Sequence, residues 1–336
     1  MQGKTQLDCL YEFEKTLGDQ TWLTQPLGND KVKEMTFKQA LDEARRMATH
    51  LKSLNLPPKS QIALFSKNTA WWFLADIAIW MAGHVSVPLY PILTGQTIRQ
   101  ILDHSEAKLI FVGKLDGFEE MESGIPSSMP RIIMPLAPAK LSSSGKYPHW
   151  DNIIKETDDE VGSPKRDADD LATILYTSGT TGVPKGVMHS FATMCASMQI
   201  MDLVKATPED RMLSYLPLAH AFERTVVETA TYTQGFQVFF AESLDTFVGD
   251  IRRARPTVFA SVPRLWLKFY QGVLQKMPEK RLSLLLKIPF VRGMVGKKVL
   301  TGLGLDQVRF AVTGSAPIPP ELLAWYRSLG LDLCEG

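Results

Sequence analysis

Cysteine is scarce in this chain: three residues in 336, Cys9, Cys195 and Cys334, scattered and without a C-x-x-C spacing. Such a set offers no disulfide framework and no thiolate metal site, and it fits a reducing compartment. None of the three stands beside a plausible base in the sequence, so none is expected as a nucleophile. An excess of one charge is also missing. Lys and Arg number 37 against 36 Asp and Glu, a formal net charge of +1, which excludes nucleic acid as a bulk electrostatic partner. No long apolar run exists either. The most apolar stretch, residues 70–82, carries Asp76 and falls short of the ~20 residues a membrane span needs. It reads as a buried helix. The first residues, Met1-Gln2-Gly3-Lys4-Thr5, lead into mixed polar sequence with no secretory signal. The expectation is a cytoplasmic protein.

What is present is the composition of an ordinary globular protein, long enough for one large or two ordinary domains. Thr36-Phe37-Lys38-Gln39 has the form of a capping box, and Phe37, Ala40, Leu41, Ala44, Met47, Ala48, Leu51 and Leu54 follow at helical spacing. Pro57-Pro58 closes that helix. Strands are predicted over 62–65, 85–89 and 109–112, with helices around Trp71, Trp72 and Trp80 and over 96–104. Beyond residue 170 the alternation resumes, with strands over 212–216, 237–241, 257–262 and 308–313. Helices lie between them over 220–233, 244–254, 263–274 and 321–329. The pattern predicts an α/β fold of mostly parallel sheets with crossover helices, in two stacked subdomains, 1–165 and 166–336. Residues 135–147, rich in proline and serine, read as a surface connector. The acidic run Asp158, Asp159, Glu160, Asp167, Asp169 and Asp170 reads as a solvated linker.

The residues that carry chemistry lie in 176–187. An apolar run, Leu171 to Tyr176, suits a buried strand, and the polar sequence Thr177-Ser178-Gly179-Thr180-Thr181-Gly182-Val183-Pro184-Lys185-Gly186 follows. Glycines let backbone N–H groups approach a phosphate, hydroxyls add donors, and a lysine supplies a mobile charge. The composition suits a polyphosphate cradle, although a solvated connector has the same ingredients. It is not a Walker A loop, because Pro184 stands where the second glycine is required and Gly186 follows the lysine.

Eleven consecutive positions from Thr177 to Val187 resemble the AMP-binding signature of the adenylate-forming superfamily of acyl-CoA synthetases, luciferases and peptide-synthetase adenylation domains. The resemblance implies activation of a carboxylic acid with MgATP to an acyl-adenylate, then transfer of the acyl group to the thiol of CoA. It assigns Thr177, Ser178, Gly179, Thr180, Thr181 and Gly182 to phosphate binding, Thr177 also to Mg2+, and Lys185 to catalysis. Gly314-Ser315-Ala316-Pro317 is on its own an ordinary strand-to-helix turn. In the family such a turn lies against adenine, and Glu335 and Gly336 fall in the segment that continues that wall.

Leu216-Pro217-Leu218-Ala219-His220-Ala221-Phe222-Glu223-Arg224 resembles the form found in long-chain fatty acyl-CoA synthetases, where the histidine lies beside the acid's carboxylate. His220 is therefore a second catalytic candidate. Arg224 is either a gate on an acyl tunnel or half of an exposed i,i+4 ion pair with Glu228. Residues 282–288, with Arg281, Arg292, Lys297 and Lys298 around them, read as a buried helix with a basic rim. Peripheral docking on a membrane is the alternative.

The resemblance runs from about Thr36 to Gly336, and implies that the chain is C-terminally incomplete. The Tyr-Gly-x-Thr-Glu segment, the hinge and the C-terminal domain with its adenylation lysine would follow. The expected function is an AMP-forming long-chain fatty acid–CoA ligase, nearly inactive as this piece, with fatty acid, ATP and CoA as its partners and an oligomer left open. The alternatives are a medium-chain or aryl acid ligase, or a non-catalytic nucleotide- or lipid-binding module.

Overall fold

A computed structural model describes residues 3–178, 184–196 and 204–336. The chain divides into two compact units, Met1–Asp202 with Ser214–Gly235, and Leu203–Leu213 with Phe236–Gly336.

In the first unit, α1 (Gln6–Leu17) is opened by Thr5, whose hydroxyl accepts from the Asp8 amide while Asp8 reaches back to the Thr5 amide. The hairpin of β1 (Thr21–Gly28) and β2 (Lys31–Thr36) turns through Asn29 and Asp30, both in the left-handed region. Next comes α2 (Phe37–Ser53), with the capping box at Thr36 and Gln39 that the sequence predicts. The order continues with β3 (Gln61–Phe65), α3 (Ala70–Met81), β4 (Val85–Leu89), α4 (Gly95–Ser105) and β5 (Leu109–Val112). Then come α5 (Phe118–Met121), β6 (Arg131–Ile133), α6 (Ala139–Ser142) and α7 (Trp150–Glu156). β7 (Leu171–Ser178), β8 (Pro184–Ser190) and α8 (Phe191–Ala196) follow. Residues 221–234 close the unit as α9 (Ala221–Glu223), a π-helical stretch (Arg224–Thr229) and α10 (Ala230–Gln234).

Six strands form one sheet in the order β6-β5-β3-β4-β7-β8. The pairings from β6 to β7 are parallel and β8 runs antiparallel on the edge. All twelve residues of α3 are buried, which is why its sequence shows no polar face.

Two expectations change here. The connector over 135–147 contains α6, and Leu141 is buried in the core beside Ile133 and Val112. The acidic run is not simply solvated. Asp159 meets Arg45 at 3.7 Å, Asp158 meets Arg46 at 3.6 Å, and Asp170 binds Lys59 and Arg166 at 2.9 and 3.0 Å. Hydrogen bonds from Lys59 and then Arg166 hold the Asp170 carboxyl down at about 2.

In the second unit β9 (Arg211–Ser214), up to Leu213, lies beside β10 (Gln237–Phe240), and α11 (Phe247–Ala254) follows. A parallel sheet of β11 (Val258–Ser261), β12 (Phe310–Thr313) and β13 (Leu333–Glu335) is connected through α12 (Pro263–Lys276), α13 (Glu279–Leu286), α14 (Val291–Leu303) and α15 (Pro320–Ser328). Trp266 and Tyr326 pack edge to face at 5.0 Å, and the tyrosine hydroxyl donates to the Trp266 carbonyl. The segment expected as a buried helix is not buried: α13 covers only Leu282 and leaves Leu284 63% exposed. Its apolar residues are too many for one inward face, so part of them meets solvent.

Candidate active site

In the first unit the phosphate-binding candidates sit on a hairpin, not on a loop leading to a helix. Thr177 on β7 pairs with Lys185 on β8, and Ser178 with Pro184. Side chains of directly opposed residues leave the same face of the sheet, so the Thr177 hydroxyl and the Lys185 ammonium flank one spot, and both residues are exposed. Gly179, Thr180, Thr181 and Gly182, at the tip between them, and the Ser178 side chain lie outside the described residues. Two features fix the hairpin. The Tyr176 hydroxyl lies 2.7 Å from His104 Nδ1 at the end of α4. Opposite Tyr176 stands Gly186, where a Cβ would come within 2.8 Å of Ile174 Cγ2 and 3.3 Å of the Tyr176 ring. Pro184 is tolerated because β8 is an edge strand.

His220 caps α9, its Nδ1 accepting from the Phe222 amide at 3.1 Å. That bond places the ring proton on Nε2, which leaves an exposed N–H donor on the far side of the imidazole. The Tyr90 ring stands edge-on at 6.5 Å. The loop before His220 is tied down by residues that sequence reasoning did not single out. Asn68, between β3 and α3, donates to Ser214 Oγ at 2.8 Å and to the Leu216 carbonyl at 2.6 Å, and accepts from the Leu218 amide at 3.3 Å. Glu223 Oε1 accepts from Ser214 Oγ and the Tyr215 amide, each at 2.9 Å. Glu223 is 1% exposed, and burial pushes its carboxyl up to about 8 against the pull of the Ser214 and backbone donors. A motif match names Glu223 but gives no hint of Asn68, which lies 155 residues away in sequence.

Arg224 makes the i,i+4 pair with Glu228, at 3.1 Å, but on a buried face and not the exposed one that spacing suggests. Its guanidinium also binds Asp76 Oδ2 at 2.8 Å and Ser86 Oγ at 3.0 Å, and stacks 5.0 Å from the Trp72 ring centre. The Tyr232 hydroxyl donates to the other Glu228 oxygen at 2.9 Å. One guanidinium faces two buried carboxyls, and burial drives both above the ordinary carboxylate range against the pull of that cation.

In the second unit the Gly314–Pro317 turn follows β12 at the carboxyl edge of the parallel sheet, where Ser261, Thr313 and Glu335 end in register. Open α/β sheets bind ligands along this edge. Ser315 is held at φ 70 and is exposed, a left-handed backbone uncommon for a residue with a side chain. Glu335 accepts from the Ile318 amide at 3.1 Å, and the Gly336 amide donates to the Thr313 carbonyl at 2.9 Å. All six candidate adenine-binding residues, Gly314 to Pro317 with Glu335 and Gly336, are therefore brought together around one turn. Among the described residues no cluster of three or more His, Cys, Asp or Glu could hold a metal ion.

A family model described as AMP-binding enzyme matches residues 12–336, beginning well before Thr36. The chain is 30% identical over 331 residues to fatty acyl-CoA synthetase A of Dictyostelium discoideum, covering 88% of this chain and 48% of that protein. It is 29% identical over 341 residues to long-chain-fatty-acid–CoA ligase 1 of Homo sapiens, covering 90% and 48%. It thus spans about half the length of the curated relatives it matches. The A domain of a carboxylic acid reductase from Segniliparus rugosus, solved with AMP and a co-purified carboxylic acid, superposes with a TM-score of 0.79. The identity is 21%, and the match covers 100% of this chain and 60% of that one. An anthranilate CoA ligase solved with anthranoyl-AMP gives 0.76 at 19% identity, covering 98% and 59%. At such identities these two structures establish the fold.

Proposed function

The chain belongs to the AMP-binding enzyme family, and on that premise we propose that it is the N-terminal portion of an AMP-forming long-chain fatty acid–CoA ligase. In the reaction assigned to the whole protein, a carboxylate oxygen attacks the α-phosphorus of ATP. The bond to pyrophosphate breaks and an acyl-adenylate forms. The thiol of CoA then attacks the acyl carbon and AMP leaves. The preference for long acyl chains is supported by the human relative named as a long-chain ligase and by the Leu216–Arg224 motif.

The observation that carries the reading is the pairing of Thr177 with Lys185 across the hairpin. A hydroxyl and an ammonium on one face suit a triphosphate, with Ser178, Gly179, Thr180, Thr181 and Gly182 supplying further donors at the tip. Mg2+ binds chiefly phosphate oxygens and water and needs only one or two protein oxygens, so the Thr177 hydroxyl fits as its protein donor without a preformed cage. When bound, the ion would neutralise charge on the phosphates. His220 would offer its Nε2 hydrogen to the acid's carboxylate, and Gly314 to Pro317 with Glu335 and Gly336 would line the adenine. We assign Arg224 to holding the helix behind His220, because its guanidinium already serves Asp76, Ser86 and Glu228.

Titration of a fluorescent ATP analogue tests the hairpin. Lys185→Ala should weaken binding about tenfold, the loss of one charge-assisted contact. Thr177→Ala should weaken it severalfold and reduce its dependence on Mg2+. Unchanged affinity in Lys185→Ala would remove the hairpin from the nucleotide site.

A further inference from the structure

The segment from Lys280 to Leu303 holds six cationic residues and no Asp or Glu, in a chain whose net charge is only +1. Within it the second unit leaves large apolar side chains uncovered: Leu284 at 63% exposure, Phe290 at 95% and Met294 at 69%. Their arrangement is regular. Phe290 caps α14, Met294 follows four residues on, and Lys297 and Lys298 continue the same helical stripe. Met294, Lys297 and Lys298 line one surface depression together with Arg252. The opposite face carries Gly296 and Leu300, both buried. A Cβ on Gly296 would collide with the Leu329 carbonyl, so this face is seated as closely as glycine permits and fixes which side of α14 turns outward. Phe290 has φ 66, a costly backbone for a bulky residue, while its ring is almost wholly in solvent.

Exposed apolar residues beside lysines, with no acid in the segment, match the chemistry of one partner class. We propose that the α13–α14 hairpin docks on a lipid surface bearing anionic headgroups. Phe290 and Met294 enter the headgroup–acyl boundary, and Lys297 and Lys298 meet the phosphates. Each such cation strengthens binding about fivefold near an anionic leaflet, and salt screens the gain. This docking goes beyond adenylation and needs no turnover, so its failure would leave the ligase reading standing.

Co-sedimentation of the 336-residue chain with vesicles is the test. Phosphatidylcholine vesicles with about 30% phosphatidylglycerol should bind it at low salt, and pure phosphatidylcholine vesicles only weakly. Lys297→Glu with Lys298→Glu should reduce binding about 25-fold or more, two successive fivefold losses. Phe290→Ser with Met294→Ser should reduce it about tenfold and leave the salt dependence intact. Lys31→Glu with Lys155→Glu, a charge-matched control at exposed positions, should leave binding unchanged. Equal binding to both vesicle types, no binding by the unmodified chain, or an equal loss in the control would each overturn the proposal. So would a stable dimer abolished by Phe290→Ser with Met294→Ser, which would give this face to a second copy of the chain.

Discussion

Arg224→Ala should destabilise the first unit by ~3–5 kcal/mol, the cost of leaving buried carboxyls without their cation. Asp76 and Glu228 are both fully buried, and Arg224 is the cation within reach of both. Removing it also empties the space between the Trp72 and Trp80 rings, 5.0 and 6.0 Å from the guanidinium. Denaturant titration should show a lower midpoint with an unchanged slope. An Arg224→Ala cost below ~1 kcal/mol would contradict the network itself.

Glu223→Ala should cost ~2–3 kcal/mol, since the Ser214 hydroxyl and the Tyr215 amide lose a buried acceptor. It should also free the loop that presents His220. Acidity gives an independent readout of this residue. Its carboxyl titrates near 4.5 in the unfolded chain and at about 8 when folded. Between those values the folded state binds more protons than the unfolded state, so stability falls as pH rises, by up to ~1.4 kcal/mol per pH unit. Burial lowers His50, His84 and His189, and their contribution runs the other way but fades above the ordinary histidine value of 6.5. From about pH 7 to 8 the raised carboxyls, Glu223 together with Glu228 and Asp76, should therefore dominate. Thermal melts should drop across that range, and Glu223→Gln should make the drop smaller. An equal drop in the variant would place the buried proton elsewhere.

The sequence carried the sheet-and-helix alternation well because apolar periodicity is strong where strands are short and helices are covered. It was weaker wherever a long-range contact decides conformation. Pro184 and Gly186 read as loop residues, yet both stand in an edge strand, one tolerated by the free edge and the other required by Ile174 and Tyr176. The turn at Asn29 and Asp30, both with positive φ, uses residue types that tolerate the left-handed region and so is a local signal. Regular spacing predicted a plain helix over 220–233. The π-helical stretch there seats Arg224 against Asp76, a partner 148 residues away that no local pattern reveals. The site divides in the same way. Thr177, Lys185, His220 and the Gly314–Pro317 turn were readable as a motif resemblance, whereas Asn68, His104 and Tyr176 act through tertiary contacts.

Carboxylate-dependent ATP–pyrophosphate exchange, run with acids from acetate to oleate, tests the central claim most directly. It should be measured on this chain and on the longest natural chain that carries these residues. The account predicts exchange that rises with acyl length in the longer chain and is much weaker in this one. Exchange strongest with short or aromatic acids, or none with any acid in the longer chain, would contradict it.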